Sequence, residues 1–253
     1  MRAAVPGLIL GLILLAGGLA GPAVRAEETP PACEVPAYLL SSDSKLTHVA
    51  AAVKGGKPLN VLVLGTRSST IPAQDGSAYP AMLQAALKER LGGAPVNLSV
   101  EIQSGKTAED MAGSLVKLVE TKNPTLVIWQ TGTYDAIKGI DPDDFRHAVD
   151  EGVSALQNAG VDVILVNLQY SPRTETMTSV PPYLDNMRVV AQQHDIPLFD
   201  RFAIMRHWND TGDFDLFSTT RGADLAKRVH GCLGRALSKL VVDAAHLDPA
   251  QQN

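Results

Sequence analysis

Short, unbroken apolar runs alternate along this chain with longer stretches whose apolar positions recur every three or four residues. The runs at 61–65, 96–102, 125–130, 161–167 and 197–199 are rich in Val, Leu and Ile and read as strands. Between them, residues 79–91 set Met82, Leu83, Ala86, Leu87 and Leu91 on one helical face, and residues 107–121 do the same with Met111, Leu115 and Leu118. Further helices are predicted at 141–159, opening on Asp-Pro-Asp-Asp, and at 181–194 and 222–242. Gly92-Gly93 stops the helix at 79–91, and Thr107 with Asp110 makes a capping pair for the one that follows. A short helix is expected around residues 38–53, before the Gly55-Gly56 turn.

Strands alternating with helices imply a parallel sheet covered on both faces, because each crossover must return the chain to the same end of the sheet. The expected fold class is α/β, a three-layer α/β/α sandwich around five parallel strands, in one domain spanning residues 59–243. Residues 27–58 form a leader and short helix before it, and residues 244–253 a tail.

The start of the chain changes the picture. Arg2 is followed by an apolar run over 8–20, and Val24-Arg25-Ala26 supplies small residues for cleavage. Residues 1–26 therefore read as a secretory signal peptide, too short in its apolar core to span a bilayer comfortably. The expected location is periplasmic or secreted, with no stable membrane anchor after cleavage. Formal net charge is −5 over the whole chain, and losing Arg2 and Arg25 makes the mature protein more acidic. An acidic surface argues against nucleic acid as a partner. Cys33 and Cys232 are the only cysteines, which excludes a clustered zinc site and, in an oxidising compartment, favours a bridge from the N-terminal segment to the last helix. No metal or other cofactor is expected.

Ligands of open α/β sheets collect beyond the carboxyl ends of the strands, so the polar turns there are the candidate chemistry. Gly65-Thr66-Arg67-Ser68-Ser69-Thr70 follows the first strand and offers Ser68 as a nucleophile; the alternative is that the hydroxyls cap the next element. Gly105 follows the second strand, Tyr134 and Asp135 the third, and Gln169-Tyr170-Ser171 the fourth. A nucleophile, backbone N–H donors and a side-chain donor converging on one point suit acyl transfer.

These residues resemble the SGNH (GDSL-type) hydrolase superfamily over nearly the whole mature length. Ser68 and Thr70 match the serine and threonine of Gly-Asp-Ser-x-Thr, with Arg67 where the family has Asp. Gly105 matches the oxyanion glycine, and Gly132-Thr133-Tyr134-Asp135 matches Gly-x-Asn-Asp with Tyr134 replacing asparagine. The family's Asp-x-x-His is missing: Ser218 stands three residues after Asp215 where the histidine belongs. The resemblance implies a flavodoxin-like sheet and a serine esterase or acyl hydrolase, with Ser68 as nucleophile, the Gly105 N–H as oxyanion donor and Tyr134 as a second donor. His230 and His207 are the substitute candidates for the base. Arg67, Asp135 and Tyr170 are candidate substrate-binding residues, with an Arg67–Asp135 ion pair as the structural alternative. A small-molecule or glycan ester is the expected substrate. The lost Asn and Asp-x-x-His support a second reading, a catalytically impaired relative that binds a glycan, acyl ligand or protein in the same crevice. Trp129 is expected in the core and Trp208 in the core or at the rim.

Overall fold

The computed structural model describes Met1 and residues 33–71, 76–217 and 222–247, with the backbone alone for Thr174. The expected signal peptide apart from Met1, the expected leader up to residue 32, Ser218 and the end of the tail lie outside the described residues. The described residues from 33 to 247 belong to one compact unit.

Five parallel strands, β1 (Leu59–Gly65), β2 (Val96–Ile102), β3 (Leu126–Gln130), β4 (Asp162–Val166) and β5 (Leu198–Phe199), lie in the order β2-β1-β3-β4-β5. This is the expected sheet. Every residue of β3 and β4 is buried, as is all of β1 except Asn60, which is why these runs lack polar alternation. The edge strand β2 is only partly covered and carries Asn97, Ser99 and Glu101.

Helices α2 (Tyr79–Arg90) and α9 (Gly222–Ala244) pack together, and α3 (Ala108–Lys122), α5 (Pro142–Asn158) and α7 (Pro181–Gln193) pack in a second group. The chain leaves β1 towards β2 and then crosses back past it to β3, so the strand order reverses between β1 and β3. Clefts form at such a switch point, between loops that diverge to opposite faces. The capping pair is present: Thr107 Oγ1 accepts from the Asp110 N–H, and Asp110 Oδ2 accepts from the Thr107 N–H.

Elsewhere the local reading needs correcting. The expected helix at 38–53 is a 3-10 turn at Ala37–Leu39 followed by α1 (Thr47–Lys54), whose start is held by Asp162: Oδ2 accepts the Val49 N–H, and Oδ1 pairs with His48. Three further helices lie outside those expected: α4 (Thr133–Lys138) and α6 (Pro172–Met177), too short to show a helical period, and α8 (Arg201–Asp210). Trp129 is fully buried as expected, and Trp208 is buried too, donating from Nε1 to the Glu34 carbonyl.

Cys33 and Cys232 are bridged, tying the first described segment to α9. Contact between α9 and α2 is close at Gly234, where a Cβ would sit 2.5 Å from Met82 Cβ and 2.7 Å from the Leu83 backbone nitrogen. Backbone cannot yield as a flexible side chain can. Gly234→Ala is therefore expected to destabilise by about 1–3 kcal/mol despite alanine's higher helix propensity. Gly113→Ala in α3, where a Cβ meets nothing within 4 Å, is the control, expected to stabilise by up to about 1 kcal/mol. Urea unfolding of both variants checks this, and equal shifts would remove the packing argument.

Candidate active site

The turn after β1 begins at Gly65, where a Cβ would sit 2.1 Å from Ser69 Oγ, so only glycine lets the chain fold back so tightly. Residues Arg67–Ser69 make one 3-10 turn, closed by Ser69 N–H to the Thr66 carbonyl. It turns Arg67 outward, buries Ser69 and leaves Ser68 half-buried.

Ser68 meets two residues that were not singled out in the sequence. Gln130, at the end of β3, is fully buried. Its Oε1 accepts from Ser69 Oγ (2.7 Å), Tyr79 Oη (3.1 Å) and Arg201 Nη1 (3.0 Å). Three donors fix which end of the amide is oxygen, so Nε2 must donate, and it does so to Ser68 Oγ at 2.6 Å and Thr66 Oγ1 at 3.3 Å. Arg201 opens α8 and is 1% exposed. Its Nη1 donates to Ser68 Oγ (3.3 Å), and its Nη2 to the Ser68 carbonyl (2.9 Å) and Gln169 Oε1 (3.2 Å). Burial pulls this guanidinium down to about 10, which leaves it protonated at neutral pH. Ser68 Oγ thus accepts from an amide and a cation, and its own proton is free to point to Thr66 Oγ1, 3.2 Å away.

No imidazole shares in this. All six histidines are described, and none is a hydrogen-bond partner of Ser68 Oγ. His48, His147 and His194 pair with Asp162, Glu151 and Asp150, and His246 lies beyond α9. His207 is half-buried on α8. His230 is 5% exposed, and its Nδ1 accepts the Tyr79 N–H at 3.0 Å, satisfying an orphan donor in the first turn of α2. With Nδ1 so occupied, the neutral ring carries its proton on Nε2, and neither nitrogen has a free lone pair. Burial, with Arg201 adding repulsion, pushes the His230 pKa down to about 3. His230 is thus committed to the Tyr79 N–H, and neither it nor His207 hydrogen-bonds Ser68 Oγ.

The other candidates divide. Gly105 adopts φ +72°, which favours glycine, and its missing Cβ would lie 3.8 Å from Tyr134 Oη, so these two stand side by side. Tyr170 lines a cavity of about 190 Å³ together with Gln169, Ser171, Met205 and His230. Asp135 is buried, and its Oδ1 accepts the first N–H of α3, from Ala108, at 2.8 Å. Burial raises its carboxyl above the usual range. That bond gives it a structural task at the start of α3, and it makes no ion pair with the exposed Arg67. Gln130 and Arg201 had one faint signal in sequence, an amide ending a fully apolar strand and an arginine just after the last one.

Residues 32–247 match the model of the non-GDSL lipase-like family. No curated protein matches the chain in sequence. Among solved structures, TesA is 20% identical with a TM-score of 0.56, the match covering 71% of this chain and 98% of TesA. AlinE4, an SGNH-hydrolase family esterase, is 20% identical with a TM-score of 0.51, over 65% of this chain and 88% of that one. The acetyl xylan esterase AlAXEase is 16% identical with a TM-score of 0.56, over 73% and 98%. At these identities the likeness is one of fold.

Proposed function

Since the chain belongs to the non-GDSL lipase-like family, we propose that it is an extracytoplasmic ester-bond hydrolase of the SGNH type with Ser68 as its nucleophile. The observation that carries this reading is Ser68 Oγ itself, half-buried at the switch point between β1 and β3 and oriented by Gln130 Nε2 and Arg201 Nη1. The Gly105 N–H, with the Tyr134 hydroxyl beside it, suits the role of oxyanion donor. The signal-like first 26 residues and the Cys33–Cys232 bridge support an oxidising compartment. An acetyl xylan esterase among the fold relatives supports glycan esters as well as small esters as substrates.

One observation favours a second reading, in which the cleft binds an ester or acyl ligand without turning it over: a serine hydroxyl is a weak nucleophile without a base, and no histidine is placed to act as one. Incubating the mature protein with short-chain aryl esters and a serine-reactive phosphonate, beside Ser68→Ala, separates the two. Hydrolase action predicts slow labelling and turnover that fall at least about 100-fold in Ser68→Ala. Ester binding with neither signal supports the second reading, and turnover that survives Ser68→Ala overturns the choice of nucleophile.

A further inference from the structure

We infer that Arg201 is a catalytic residue that activates Ser68 by charge, holding its Oγ as an alkoxide in place of an imidazole base. The inference rests on the hydrolase reading. Arg201 touches the reacting oxygen at 3.3 Å and grips the carbonyl of the same residue at 2.9 Å, so the cation is fixed on the nucleophile rather than merely near it.

The electrostatics have one further property: among the described residues this cation is uncompensated. Every acceptor around Arg201 is neutral, namely Gln130 Oε1, Gln169 Oε1, Ser68 Oγ and the Ser68 carbonyl, and its Nε has no partner. Asp200, next in the chain, gives its carboxylate to Asn167, Arg188 and the Ala203 N–H instead. A buried cation without a counter-charge is costly, and here the group best placed to supply negative charge is Ser68 Oγ on ionisation. Of the other titratable groups described beside Arg201 or Ser68, Tyr79 and His230 carry no charge at neutral pH and Arg67 is exposed to solvent. Tyr79, 5.7 Å from the guanidinium, stays a phenol because burial raises it. His230 stays neutral because burial and Arg201 itself lower it. Arg67 points outward.

The chemistry balances with solvent hydroxide as the proton acceptor. Hydroxide removes the Ser68 proton to give water and an alkoxide matched by Arg201. Oγ bonds to the ester carbon while the carbonyl π pair moves onto oxygen. Collapse breaks the bond to the leaving alkoxide, which takes a proton from water, and hydroxide then cleaves the acyl-serine to release the acid.

The test follows the rate of phosphonate labelling and of aryl acetate hydrolysis from about pH 5 to about pH 10 in wild type, Arg201→Lys and Arg201→Gln, with melting curves to establish folding. Wild type is expected to rise about tenfold per pH unit from about pH 5 to about pH 9, levelling only at about pH 10 where Arg201 itself loses its proton, without the neutral inflection of a histidine base. Arg201→Gln should fall about 10- to 100-fold, as losing a charged hydrogen bond implies, while Arg201→Lys recovers most of the rate. If Arg201→Gln does not fold, the wild-type profile and Arg201→Lys decide. A plateau setting in between about pH 7 and about pH 8, or labelling of Arg201→Gln at the wild-type rate, overturns the role of Arg201 and leaves the hydrolase reading standing. Wild type that labels at no pH overturns both.

Discussion

Lowering the pH from about 6.5 to about 3 is expected to remove about 4–5 kcal/mol of folding stability through His230 alone. In the folded protein this imidazole stays neutral down to about 3, whereas in the unfolded chain it takes up a proton near the ordinary 6.5. Between those values the unfolded state binds more protons, so stability rises with pH and is lost on acidification. The cause is the site itself: protonating Nδ1 breaks the bond from the Tyr79 N–H and puts a second buried cation beside Arg201. Asp135 acts in the opposite sense, since its raised carboxyl binds a proton in the folded state first, and it offsets part of the loss. Against a typical domain stability of about 5–15 kcal/mol, the net effect brings the protein close to unfolding near pH 3–4. Urea titrations across this range should show a steep fall in wild type and a shallow one in His230→Gln, whose side-chain oxygen still accepts the Tyr79 N–H. Parallel curves would show that His230 is not the group responsible.

Removing the Cys33–Cys232 bridge is expected to cost about 4–5 kcal/mol, near the upper end of what a single disulfide gives. The bridge spans 199 residues of sequence and so restricts nearly all of the unfolded chain. In the folded state the same segment is also held by Trp208 Nε1 on the Glu34 carbonyl and by the Leu46 N–H on the Ala244 carbonyl, so it stays docked when the bridge is opened. The stability change therefore reads the unfolded state rather than a lost contact. A double variant, Cys33→Ala with Cys232→Ala, should melt roughly 10–20 °C lower than wild type. A drop under about 3 °C would mean that the docked segment already provides the constraint.

The site was half legible from sequence. Ser68 and Gly105 are readable as candidates because turn chemistry is local: a glycine and hydroxyls after an apolar run mark the end of a strand whatever the rest of the chain does. Asp135 is picked out for the same reason. Its place after β3 is readable, but that its carboxylate reaches the start of α3 depends on how two crossovers lie against each other. His230 was singled out by residue type, while its role follows from the helix that it faces, since only contact with α2 turns it into a cap.

What the sequence determined by itself is the framework: five strands in parallel, the crossovers between them, the capped start of α3 and the pairing of two distant cysteines. These follow from hydrophobic period, turn residues and the count of thiols, which act over a few positions or over composition alone. The tertiary structure decided what surrounds the nucleophile. Arg201 lies 133 residues beyond Ser68 and Gln130 lies 62, and neither spacing carries information until the sheet order sets β1 beside β3 and the chain leaving β5 returns α8 to the same end. Charge and hydrogen bonding act through space, and here that space is made by the fold.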